Sequence, residues 1–165
     1  MKLKKNQRGA YVVEFAIIAA VMFVVLFAAI ELSRMIWVWN TLDEATRRGA
    51  RLAAVCPIND SSIPEVTVFN SPGGGANSPI LNNLTTASVD VKYLASDGVT
   101  PTTTFEDVRY VRVSLNCGAC TKFKFTPLIP FFNTAGFDLP AFETTLPSES
   151  LGYVPDSSPP VFSCP

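Results

Sequence analysis

Residues 10–30 carry one charged side chain, Glu14, and the sixteen residues from 15 to 30 carry none. As a helix at about 1.5 Å per residue the stretch is about 31 Å long, close to the hydrocarbon thickness of a bilayer. The run therefore reads as a membrane span. Within it Glu14 is an anomaly, because an ionised group costs roughly 2.5–3.5 kcal/mol at the centre of such a helix and less toward its end. A chain that needed only an anchor could place any apolar residue there, so the carboxylate reads as retained for a task.

Charge is distributed to match. Of 13 basic and 14 acidic residues, Lys2, Lys4, Lys5 and Arg8 precede Gly9, with no acid among them. A basic cluster on this flank places the N-terminus in the cytoplasm and the remainder outside. Trp37 and Trp39 follow the run, where interfacial aromatics are common. The rest of the chain is net acidic, with no basic nucleic-acid footprint. A cleaved signal peptide fits poorly: the apolar stretch exceeds 7–15 residues and no Ala-x-Ala site follows it. A plain single-pass anchor fits, but leaves the glycine beside the basic stretch and the carboxylate five positions on unexplained.

Those residues carry a family resemblance. Arg8-Gly9-Ala10-Tyr11-Val12-Val13-Glu14-Phe15 resembles the processing site of type IV prepilins and pseudopilins. Val13-Glu14-Phe15-Ala16, the apolar run, Glu31-Leu32-Ser33-Arg34 and the stretch from Glu44 to Val55 together resemble the TadE-like pseudopilins of tight-adherence (Flp) pili. Alanine at position 10, where most type IV pilins have an N-methylated phenylalanine, points to this branch. The resemblance implies a cut between Gly9 and Ala10 by a prepilin peptidase, which discards residues 1–9. It also implies that Glu14, fifth in the mature chain, pairs with the Ala10 amine of a neighbouring subunit. The implied partners are the peptidase, other pilin subunits, the inner-membrane assembly platform and membrane lipid.

Beyond the span no proline interrupts residues 31–55, and Pro57 supplies a stop. Met35, Val38, Leu42, Ala45, Gly49, Leu52 and Cys56 recur at alternating spacings of three and four, an apolar seam. The seam is expected to lie on the chain's own sheet. Helix packing between subunits is the alternative, because Ala45 and Gly49 permit close backbone approach.

Residues 57–147 switch to alternating patterns and are expected to form a β-rich domain. Strands are expected at 65–69, 88–93, 108–115, 121–125 and 142–146, with one helical turn at 80–84. The strands at 108–115 and 121–125 are expected to pair as a hairpin around Cys117-Gly118-Ala119-Cys120. Residues 127–132, apolar and proline-punctuated, read as a core-covering loop. Residues 148–165 read as a Ser/Pro-rich tail, poorly ordered unless Cys164 ties it down. The fold class is α+β and pilin-like: a long N-terminal transmembrane helix packed on a small antiparallel sheet.

The four cysteines, Cys56, Cys117, Cys120 and Cys164, all lie beyond the span, and an even count in such a domain suggests disulfides in an oxidising compartment. A turn bridge between Cys117 and Cys120, or two bridges from these to Cys56 and Cys164, are both open. A thioredoxin-like redox site would need the Cys-x-x-Cys to open a helix after a strand, and no such pattern surrounds it. A zinc site is disfavoured by the 108 residues between Cys56 and Cys164. There is no histidine, no nucleophile elbow and no P-loop. The expected function is a non-enzymatic minor pilin or pseudopilin, without cofactor or metal, single-pass in a bacterial inner membrane with its domain periplasmic. The alternative is a membrane-anchored periplasmic binding protein unrelated to pili.

Overall fold

The computed structural model describes residues 8–128, 136–154, 161–162 and 164. One continuous helix, α1 (Arg8–Val55), runs for 48 residues, about 72 Å at the standard rise. Its second half packs on a three-stranded antiparallel sheet of order β1-β2-β5, formed by β1 (Val89–Leu94), β2 (Tyr110–Leu115) and β5 (Phe142–Pro147). In the central strand Val111, Val113 and Leu115, which share one face, are fully buried under the helix, while Tyr110 on the other face is exposed. Val113 stands opposite Val91 on one side and Thr144 on the other. Thr144 meets Thr46 of α1 hydroxyl to hydroxyl at 2.9 Å, tying helix to sheet.

The core has two lobes. One, nearer the membrane run, joins Val38, Leu42 and Ala45 of α1 to Leu81, Leu84, Leu115 and Phe142. The other joins Ala50, Ala53 and Cys56 to Ile63, Tyr93, Val111 and Leu151.

Residues 65–69 are not a strand. Ser62–Thr67 form a short helix, α2, laid across α1. The Asp60 carboxylate accepts from the Ser62 amide at 2.8 Å, Pro64 occupies the first turn where its missing N–H costs nothing, and Ile63 and Thr67 are buried four apart on one face. The Val-Thr-Val alternation suggested a strand, but burial at helical spacing decides. Residues 80–84 make a simple turn, with the Leu84 amide donating to the Leu81 carbonyl and Asn83 at φ 72°.

The expected hairpin of 108–115 with 121–125 does not form either. Both sides of β2 are taken, by β1 and by β5. Asn116 adopts φ 56° and turns the chain out of the sheet, and its side-chain oxygen accepts from the Phe123 amide. A two-residue strand, β3 (Lys124–Phe125), pairs instead with β4 (Phe137–Asp138). The covering loop foreseen at 127–132 is described only at Pro127 and Leu128; the remainder lies outside the described residues.

The C-terminal segment is built into the fold. Amides of Glu149, Leu151 and Gly152 donate to the Ala54 and Val55 carbonyls, groups that a helix end otherwise leaves unpartnered. Gly152 sits at φ +79° against Pro57, leaving no room for a side chain. Two short strands, β6 (Tyr153–Val154) and β7 (Val161–Phe162), pair beyond it. Cys164 is bonded to Cys56 across 108 residues, and Cys117 is bonded to Cys120 within the turn. In the chain-entropy account a closed loop of roughly 100 residues is worth about 4–5 kcal/mol, so the longer bridge is the larger constraint.

Candidate functional site

The first half of α1 touches almost nothing in the chain. Phe15 is 73% exposed, Val21 61% and Leu26 44%, and only Ala19 and Ala28 are partly covered. The eighteen-residue window of highest hydropathy has no buried residue, so the helix is long and apolar enough to cross a membrane. Its apolar side chains are left for lipid or for other helices to cover.

Gly9, Ala10 and Glu14 stand exposed at the N-terminal end of this bare half. A Cβ placed on Gly9 would meet nothing within 4 Å. Ala10 and Glu14 are four apart on one helix face, about 6 Å along the axis. Among the described residues Glu14 has no ion-pair or hydrogen-bond partner. A carboxylate so placed can pair only with a group from outside the described chain.

The seam residues are used differently. Val38, Leu42 and Ala45 are buried, Met35 and Leu52 half-buried, all against the chain's own domain. Gly49 lies under α2, where a Cβ would come within 2.2 Å of the Thr67 hydroxyl oxygen. The close approach that Ala45 and Gly49 permit is used inside the chain, against α2 and the sheet core. Exposed helix faces beyond it carry Arg47, paired with Asp43 at 2.8 Å, and Arg48, whose guanidinium lies over Phe69.

Between the bare and covered halves is a junction that sequence reasoning missed. Glu31, immediately after the apolar run, is 9% exposed. Its Oε1 accepts from Arg34 at 2.7 Å and its Oε2 from the Leu128 amide at 3.3 Å. Arg34 also donates to the Thr126 carbonyl, and its guanidinium sits 4.5 Å from the centre of the Phe125 ring. One acid–base pair thus fastens residues 125–128 to the helix where it leaves the apolar run. The available signal was an acid and a base three apart at the first polar turn, a spacing that brings side chains together on a helix.

The cysteines hold no free thiol. The turn bridge of Cys117 and Cys120 and the long bridge of Cys56 and Cys164 leave neither a dithiol nor a zinc ligand set. Among the described residues no group of three metal-ligating side chains occurs. Among the described residues two titrations are displaced from their ordinary values. Burial raises the Tyr93 phenol, partly offset by the Asn59 amide donating to its oxygen, while the nearby Asp60 charge raises it further. Asp97, in an exposed turn, falls to about 2 because the Thr100 hydroxyl and the Val99 and Thr100 amides all donate to it. Both features belong to folded turns and core, and neither adjoins a second chemical group that would make a reaction centre.

Residues 9–51 match the model of the TadE-like protein family. The matched segment covers the bare half of α1, the junction and most of the seam, and ends just before the helix does. No curated protein and no solved structure matched the chain.

Proposed function

We propose, starting from the TadE-like segment at residues 9–51, that this protein is a minor pilin or pseudopilin of a tight-adherence pilus. It is made as a prepilin, inserted in the inner membrane with residues 1–9 in the cytoplasm and its disulfide-bonded domain in the periplasm. Prepilin peptidase cuts between Gly9 and Ala10. The mature chain then initiates assembly or enters the fibre as a minor subunit for surface adherence, working with other pilin subunits and the assembly platform.

The observation that carries this reading is the contrast at the end of α1. Gly9, Ala10 and Glu14 are exposed on a helix whose apolar half is bare, while the seam residues Val38, Leu42, Ala45 and Gly49 are buried by the chain's own domain. Assembly would exchange lipid for other subunits' helices around residues 10–30, a step driven by packing rather than by escape from water. In that setting an unpaired Glu14 is costly, and the free amine that cleavage creates on a neighbour's Ala10 satisfies it. A buried pair of this kind sets register more dependably than it adds net stability.

Intact mass measurement of the membrane form tests the processing step. Loss of residues 1–9 is expected, and a full-length chain in cells with active prepilin peptidase overturns the reading. Glu14→Ala should leave cleavage and insertion intact while abolishing co-assembly with partner pilins. Unchanged piliation in that variant removes the role given to the carboxylate.

A further inference from the structure

We propose that the β3–β4 hairpin is a membrane foot, with Leu128 and Phe137 seated in the outer leaflet of the bilayer that α1 crosses. The inference rests on α1 being a membrane span, and adds to it a second contact made by the folded domain.

Ala28 lies 18 residues beyond Ala10, about 27 Å along the helix, inside a hydrocarbon layer about 30 Å thick. A tilt of about 20°, ordinary for such helices, sets it deeper. Yet Ala28 is not met by lipid alone. It forms one wall of a shallow apolar groove with Leu32, and Phe125, Pro127 and Phe137 form the other. The hairpin therefore reaches down over the last turn of the span and cannot stand clear of the membrane surface.

Its exposed side chains suit that level. Leu128 is 73% and Phe137 43% exposed, and Leu32 of the helix, which lines the same groove as Phe137, is 59% exposed. Lys122 and Lys124 stand exposed on the same arm, where they can meet lipid phosphates; Lys124 also pairs with Asp138 at 3.6 Å. Apolar tips with flanking lysines are the composition of interfacial membrane segments.

The junction then acquires a purpose. Glu31 is positioned at the hydrocarbon boundary, where a lone carboxylate would be poorly solvated. Arg34 and the Leu128 amide satisfy it, and the same bonds lock the foot to the helix. The domain is thereby held at a fixed height above the bilayer, instead of swinging on its helix.

Site-directed nitroxide labelling of the full chain in phosphatidylcholine–phosphatidylglycerol vesicles tests this, because all four native cysteines are bonded and an introduced one is unique. Leu128→Cys and Phe137→Cys labels should be relaxed by oxygen severalfold more than by a water-soluble nickel complex. Val99→Cys, on an exposed turn at the far end of the domain, should show the reverse. Ile18→Cys reports on the span itself and should be the deepest. If Ile18 is deep while both foot positions behave like Val99, the foot is overturned and the span stands. An aqueous Ile18 overturns the span and the foot with it. If protection at Leu128 and Phe137 vanishes as the lipid-to-protein ratio rises, that face is an interface between copies and the proposal fails.

Discussion

The two halves of α1 are one unbroken helix with opposite fates. Residues 15–30 are apolar on every side, and all of their side chains but Ala19 and Ala28 are bare. In residues 31–55 the buried apolar groups lie on one stripe, covered down to 0% exposure at Leu42 and Ala45. The halves differ in how their apolar residues are arranged around the helix. A stripe three and four residues apart can be buried by one sheet on one side. A helix apolar all round cannot, so its burial must come from lipid or from other chains. The second half therefore carries the fold, and the first is left to lipid or to other chains.

The largest test of this division removes the same kind of volume from each half. Leu42→Ala empties the centre of the membrane-proximal core and should destabilise the domain by about 2–5 kcal/mol. Val24→Ala removes methyl groups that touch nothing in the domain and should leave its unfolding midpoint unchanged in detergent. A comparable loss in both variants would break the comparison. Alanine in place of each helix glycine sharpens it further. Gly49→Ala forces a methyl into the Thr67 side chain and should cost about 1–3 kcal/mol, partly recovered by adding Thr67→Ala. Gly9→Ala meets open space and should leave stability unaltered, yet block the proposed processing and leave residues 1–9 on the chain.

What could be read from the sequence follows the same line. The long apolar helix, the buried seam, the stop at Pro57 and the positions of β1, β2 and β5 were legible because each is a local pattern. The α+β architecture, a long apolar helix with a small antiparallel sheet, was legible with them. The helix at Ser62–Thr67 was not, because six residues hold too few turns for a period to show and Val-Thr-Val reads equally as a strand. Strand partners were not legible either: the choice of β5 over residues 121–125 beside β2 depends on Asn116 turning the chain aside. Cysteine pairing was left open for the same reason, since it depends on where the C-terminal segment docks. Of the site, Gly9, Ala10 and Glu14 stood out through their spacing. The junction of Glu31 and Arg34 did not, because its partner lies 97 residues away in sequence.

The smallest effect separates the halves by pH. Tyr93 lies in the distal core of the covered half, and burial raises its phenol above the ordinary value, with Asp60 adding to the shift. A folded-state pKa above the unfolded one means that the folded chain holds the proton more tightly. The resulting stability is complete below about pH 10, the unfolded value, and is lost as pH rises from there through the folded pKa. The domain's midpoint should therefore fall across that alkaline window, with a slope of at most about 1.4 kcal/mol per pH unit from this one group. Tyr93→Phe should flatten the fall, at the constant cost of about 1 kcal/mol for the hydrogen bond lost from the Asn59 amide. Helicity of residues 10–30 in detergent should not change across the same window, because that half does not depend on the domain's core. A parallel loss of helicity there would show that the two halves are coupled more tightly than their packing implies.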